Sequence, residues 1–506
     1  MDIDLDIDWG LVLGELTYNP KSPMIFSSGL FLWLFAIFSL IYFCLRRTDT
    51  IRILFVTLFS YYFYYKSSGV YVTLLFVVSL SDFLIGRAIY NRQTAGGGWD
   101  KDANKGQQRL LLCCCLLVNL GLLAYFKYTN FFYEVFCPLW NGKFEPLDIF
   151  LPVGISFFTF QSISYVVSIY RGQLKPLNSL LDYAFYVSFF PQLVAGPIVD
   201  ARDFVPQIHK PLTVTDEMFG RGVFLIVAGL FKKAVISDYI SVNFVERIFD
   251  DPTLYSGIEN LLGLYGYALQ IYCDFSGYSD MAIGIALLLG FKFPDNFNSP
   301  YKSTSVTDFW RRWHISLSHW LRDHLYISLG GNRHGKVRTY FNLFMTMLLG
   351  GFWHGASWNF IVWGALHGAA LGVHKAFRSI CGIDPKQQAK GIVGFFARLL
   401  TFHFVVFCWI FFRNTSFEHS WQMIMKIGTE FNAGLLPQIW DGYTLVMCMI
   451  IVGFVLHFLP DRATEFCQKA VTKLPLVLKA VLITAVIYLI IQVKSSDIQP
   501  FIYFQF

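Results

Sequence analysis

YFNLFMTMLLGGFWHGASWNFIVWGALHGAALGVHK, residues 340–375, is apolar almost throughout. As one straight helix it would extend ~54 Å, against a hydrocarbon core of ~30 Å. The chain must therefore break inside it, and Gly350–Gly351 is the expected place. That reading puts Phe352, Trp353 and His354 at the start of a second membrane segment. The stretch is one of many apolar runs between Leu30 and Ile491.

Composition agrees. Of 506 residues, 55% are hydrophobic, 18% aromatic and only 15% charged, where a soluble chain carries about 25% charged residues. The expected fold class is all-α: a polytopic integral membrane protein of about 10–13 membrane segments, re-entrant and interfacial helices included. No Pro/Ser-rich linker interrupts the runs, so residues 1–506 read as a single membrane domain. The start, MDIDLDIDWG, is acidic and lacks the basic opening of a secretory signal, so the first span, about 30–45, is expected to be retained. Basic residues at 46–52 and 87–109 mark cytoplasmic loops and place the N-terminus extracytoplasmically. They also account for the net charge of +6 without a nucleic-acid partner. The ten cysteines, among them Cys113–Cys115, include no CxxC pair and read as small packing residues.

Outward from the opening stretch, residues 308–335 read DFWRRWHISLSHWLRDHLYISLGGNRHG. Residues 308–328 have helical composition, with Asp308 as N-cap or first-turn acid. Asp308 and Arg312 are four apart, as are His319 and Asp323, so each pair can meet on a helix surface. Trp310, Trp313 and Trp320 fit an amphipathic helix lying at the headgroups. Such a helix is also a natural roof for a site fed from the cytoplasm. His314 is then either a structural histidine or part of that site. The turn 329–335 either binds an anion or is a basic loop.

His354 can act as a general base if its other ring nitrogen has an acceptor. The alternative is a hydrogen-bonded core histidine. Trp353 and Asn359 beside it point to a shaped cavity. His354 and His367 would lie ~140° apart around one helix, and there is no HExxH or HxxxH pair, so a metal site is not expected. Asp274 and Asp280, in YCDFSGYSDMAIG, are acids between apolar runs, either functional or capping helices beside Gly277. Pro191, Gly196 and Pro197 in FFPQLVAGP predict a broken or re-entrant segment. The terminal FIYFQF is either an interfacial anchor or a tail inserted into the protein, carrying the Tyr503 hydroxyl to the chemistry.

These stretches together, with LPVGISFFTFQSISYVVSIYRG (151–172), FFPQLVAGPIV (189–199), YALQIYCDFSGYSDMAIGIALLLGF (267–291) and GGFWHGASWNFIVWGALHG (350–368), resemble the membrane-bound O-acyltransferases. The resemblance is to the bacterial alginate O-acetylation and teichoic-acid D-alanyl transfer branch, over a catalytic core of 150–370 and the aromatic tail 495–506. It implies a ring of helices around a thin central core, His354 as catalytic residue, His314 as its second histidine and Tyr503 as a transient acyl carrier. His324 stands where relatives are expected to carry Tyr, and it is given no catalytic role.

The activity expected is transfer of an acetyl group from a cytoplasmic thioester, acetyl-CoA or an acyl carrier protein, toward an extracytoplasmic polysaccharide, with no bound cofactor. His354 takes the proton of the attacking hydroxyl, and His314 orients the donor or stabilises the oxyanion. Arg311, Arg312, Arg322 and Asn332 bind the anionic donor. Asp274, Asp280, Trp353 and Asn359 support the site. The expected setting is the bacterial cytoplasmic membrane, with an exported SGNH-type acetyltransferase or esterase-like partner. D-alanyl or other acyl transfer is the alternative, and a non-enzymatic transporter is the remote one.

Overall fold

The structure is a computed structural model describing residues 9–20, 22–140, 142–384 and 387–493. The tail bearing Tyr503 lies outside the described residues. All regular structure among them is helical. Asp49–Gln93, Lys105–Trp140, Gly391–Arg413 and Ala433–Phe458 are long and apolar enough to cross a membrane. Gly29–Cys44, Ile155–Tyr170 and Leu476–Gln492 are shorter apolar helices. The chain divides into two compact units: Met1–Thr129 with Pro146–Thr213, and Asn130–Glu145 with Val214–Phe506.

The first unit contains α1 (Gly29–Cys44), α2 (Asp49–Ser68), α3 (Val72–Gln93), α4 (Lys105–Leu123), α5 (Ile155–Tyr170), α6 (Leu180–Ser188) and the one-turn α7 (Phe190–Leu193). Ser28 caps α1, its hydroxyl accepting the Phe31 N–H at 3.2 Å. Phe190 packs at 5.1–5.9 Å from the rings of Phe38, Phe59 and Phe63. The FFPQLVAGP segment breaks as its prolines predict, with Phe189 leaving the helix at φ −51°, ψ 109°. Its backbone is enclosed, and side chains pair two polar groups of 189–199. The Phe190 N–H donates to Ser60 Oγ at 3.1 Å, and the Tyr186 hydroxyl donates to the Val199 carbonyl at 3.2 Å.

The second unit begins with α8 (Asp216–Leu230) and α9 (Gly257–Leu288). Ser256 and Glu259 close α9 with a capping box. The sequence predicts two segments parting near Gly277, but α9 is one helix of 32 residues. Gly277 serves contact rather than a break. A Cβ on Gly277 would lie 2.8 Å from the Gly229 carbonyl oxygen, and one on Gly284 would lie 2.7 Å from that of Gly222. Two glycines seven residues apart on each helix thus let α8 and α9 touch along their backbones.

The unit continues with α10 (Val306–Trp310), α11 (Ile315–Trp320), α12 (Gly335–His354), α13 (Trp358–Ile380), α14 (Gly391–Arg413), α15 (Leu436–Phe458), α16 (Asp461–Lys473) and α17 (Leu476–Val493). Two expectations are corrected here. The 308–328 helix is interrupted between α10 and α11, where His314 adopts φ +43°. The 340–375 stretch does break, but after His354 rather than at Gly350–Gly351. Gly351 is a packing glycine. A Cβ there would meet the Phe360 carbonyl oxygen at 2.3 Å and Gly364 Cα at 2.8 Å. The break falls at Gly355, which is extended and covered by the Phe360 ring.

Candidate active site

His354 is the last residue of α12, not the first of a new helix. It is 3% exposed. The Trp363 ring stands edge-on at 5.1 Å, Phe412 at 5.2 Å, and Trp353 flanks it at 4.9 Å. Asn359 ties two helix ends, donating from Nδ2 to the Asn414 carbonyl at 2.8 Å.

His314 is completely buried, and its geometry fixes which ring nitrogen carries the proton. Its Nδ1 lies 3.2 Å from Asn296 Oδ1. That oxygen also accepts the Ser316 N–H at 3.2 Å and the Ser316 hydroxyl at 2.9 Å. A backbone N–H can only donate, so the Asn296 atom is the acceptor and Nδ1 must hold the hydrogen. Asn296 Nδ2 donates to Ser279 Oγ at 3.1 Å, which completes the assignment. Nε2 is left as an acceptor, buried and without a hydrogen-bond partner among the described residues. Burial pushes the ring's pKa down to about 3. A neutral ring protonated at Nδ1 offers a lone pair at Nε2 and no donor, so it does not match an oxyanion. The left-handed backbone at His314 costs roughly 1–3 kcal/mol, a strain that functional sites commonly carry.

An aromatic wall links the two histidines. Trp313 packs on Trp409 at 5.0 Å, and Trp409 packs on Phe412 at 5.2 Å. The Trp310 Nε1–H donates to His367 Nδ1 at 3.2 Å. His354 and His367 do share a neighbour, since Trp363 stands 4.7 Å from His367 as well. The 140° separation assumed one helix, whereas the two residues lie on α12 and α13.

Asp274 and Asp280 lie in the interior of α9, so neither caps a helix. Asp274 pairs with Lys233 at 2.6 Å and Asp280 with Lys232 at 2.5 Å. Lys233 also meets Asp238 at 2.7 Å. Buried Asp274 and half-buried Asp238 and Asp280 are thus held by lysines from the π-helical segment Phe231–Ser237 that continues α8. The donor residues separate. Arg312 pairs with Asp308 at 3.2 Å, the contact their spacing predicts. Arg322 pairs with Asp323 at 2.6 Å, while Arg311 and Asn332 are exposed. Sequence reading missed Asn296, Ser279 and Ser316. The only signal for Asn296 was a polar residue in a turn 18 positions before a buried histidine.

Comparison with known proteins gives the chain a family. Residues 173–412 match the model of the MBOAT, membrane-bound O-acyltransferase family. The chain is 39% identical over 446 residues to the probable alginate O-acetylase AlgI of Pseudomonas aeruginosa, covering 85% of this chain and 81% of that protein. It is 42% identical over 343 residues to the peptidoglycan O-acetyltransferase of Helicobacter pylori, covering 63% and 64%. It is 30% identical over 340 residues to the teichoic acid D-alanyltransferase of Bacillus subtilis, covering 60% and 84%. The chain is an all-α, multi-pass membrane protein and belongs to the membrane-bound O-acyltransferase family.

Proposed function

We propose that this O-acyltransferase moves an acetyl group from a cytoplasmic thioester, acetyl-CoA or an acyl carrier protein, toward an extracytoplasmic polysaccharide. The observation that carries the reading is His354, buried at the end of α12 and walled by Trp363 and Phe412. The attacking hydroxyl oxygen bonds to the thioester carbon as His354 takes its proton. The C–S bond then breaks, and the thiolate recovers the proton from His354. Ester and thiol are the products, and no oxidant or bound cofactor enters the balance. His314, with its lone pair at Nε2, orients the donor by accepting an N–H, and the amides of a pantetheine arm supply such groups. The oxyanion role expected for His314 is set aside.

In this reading Tyr503 carries the acetyl group in transit, and an exported SGNH-type acetyltransferase or esterase-like partner completes transfer. The protein lies in the bacterial cytoplasmic membrane with its N-terminus outside. Relatedness to a teichoic acid D-alanyltransferase supports D-alanyl transfer as the second reading. The test is ester content of the cell-envelope polymers in cells carrying His354→Ala at normal membrane abundance. Loss of acetate is expected, and retained acetylation sinks the role of His354. Mass analysis of the released acid separates acetate from D-alanine. Intact-protein mass spectrometry for an acyl adduct on Tyr503 separates both from a transporter, which forms none.

A further inference from the structure

Within the second unit, a half-open cavity of about 470 Å³ is lined by Lys302, Arg312, Lys390 and Arg398, with Asp308 and Asp461 as its acids. Small-molecule sites typically measure roughly 300–1,000 Å³. The acids are already engaged. Asp461 pairs with Lys302 at 2.8 Å, and Asp308 with Arg312 at 3.2 Å. Lys302 holds the pKa of Asp461 below the usual carboxylate range, through a hydrogen bond first and its charge second.

Arg398 donates from Nε to the Lys302 carbonyl at 3.1 Å, which fixes the guanidinium on the cavity wall. Neither Arg398 nor Lys390 has a carboxylate partner among the described residues. Four cations against two engaged carboxylates leave a cavity in want of an anion. A guanidinium beside lysines suits phosphate.

The cavity is also tied to His314. The Asn298 N–H donates to the Arg312 carbonyl at 2.9 Å, and the Ile315 N–H donates to the Asn296 carbonyl at 2.9 Å. One pair of strand-like contacts therefore joins the cavity wall, the turn bearing His314 and the Asn296 that sets its tautomer.

We propose that this cavity seats the phosphate at the head of the donor's pantetheine arm. CoA and acyl carrier proteins both present a phosphate there, so the chemistry is common to the two donors. The inference rests on the acyl-transfer reading above. It assigns donor recognition to Lys302, Arg312, Lys390 and Arg398, in place of Arg311, Arg322 and Asn332.

The experiment uses the full-length protein in lipid nanodiscs. Calorimetry compares S-acetyl-4′-phosphopantetheine with S-acetylpantetheine, which lacks the phosphate. The wild type is expected to prefer the phosphorylated probe by about tenfold or more at low salt, with the preference shrinking as salt rises. The Lys390→Gln/Arg398→Gln variant is expected to lose most of that preference, and Arg398→Lys to keep part of it. Equal binding of both probes by the wild type, or an unchanged preference in the double variant, overturns the proposal.

A lipid headgroup is the rival source of phosphate. Competition by phosphatidylglycerol nanodiscs, absent with phosphatidylcholine and abolished in the double variant, gives the cavity to lipid and overturns the donor assignment. His354-dependent acetylation without a phosphate preference overturns this inference alone. A phosphate preference without His354-dependent acetylation overturns the reading it rests on.

Discussion

Asn296→Asp tests the most specific feature of the site, the proton position on His314. The substitution keeps the size and the acceptor oxygen that meets Nδ1 at 3.2 Å. It replaces a neutral acceptor with a carboxylate, and the Ser279 hydroxyl can turn to donate where it now accepts. A carboxylate at such a distance raises an imidazole pKa by roughly 1–3 pH units. In the wild type burial holds that pKa at about 3, so the ring is neutral at every pH above it. In the variant the ring titrates between about pH 4 and 6 on that arithmetic. Protonation at Nε2 removes the lone pair proposed to accept from the donor. Activity is therefore expected to survive at pH 8 and to fall on the acid side, with the midpoint of the acid limb between about pH 4 and 6. The assay is thioester consumption by membranes across pH, in wild type and variant at matched abundance. An acid limb that does not move refutes the reasoning. So does a higher rate at acid pH, which belongs to a protonated His314 donating to an oxyanion.

Four further outcomes follow from the packing. Lys233→Met strips Asp238 and Asp274 of their shared cation and is expected to destabilise the protein by about 3–5 kcal/mol. Thermal melting in detergent reads this, and adding Asp238→Asn and Asp274→Asn is expected to restore most of the loss. Gly351→Ala drives a methyl into the Phe360 carbonyl oxygen at 2.3 Å and is expected to cost about 1–3 kcal/mol and to reduce activity one turn from His354. Gly372→Ala meets nothing within 4 Å and is expected to be neutral or slightly stabilising in the same melt. Trp310→Phe removes the donor to His367 Nδ1 and is expected to cost about 0.5–1.5 kcal/mol, read by the same melting assay.

The periodicity of the chain made much of this legible. Apolar runs and scarce charge announced a helical membrane protein, the prolines of FFPQLVAGP announced a broken segment, and spacing alone gave the Asp308–Arg312 pair. What stayed hidden depends on contacts between distant residues. Gly350–Gly351 looks like a hinge because glycine weakens a helix, yet Gly351 is needed where α12 meets α13, a fact visible only with Phe360 and Gly364 in place. Asp274 and Asp280 looked like helix caps or acids supporting the site because nothing local pairs with them. Their partners, Lys233 and Lys232, come from the π-helical segment that continues α8. His314 was expected inside a helix, and only its positive φ and its contact with Asn296 show why the helix stops there. His354 was identifiable as a candidate because a histidine in an apolar segment demands an explanation.

The account stands most directly on that last residue. The decisive measurement is release of free thiol from S-acetyl donor by the purified protein in proteoliposomes, with the exported partner and acceptor polysaccharide present, for wild type and His354→Ala of matched folding. The account predicts acceptor-dependent thiol release by the wild type and none above background by the variant. Equal release by the two would contradict it.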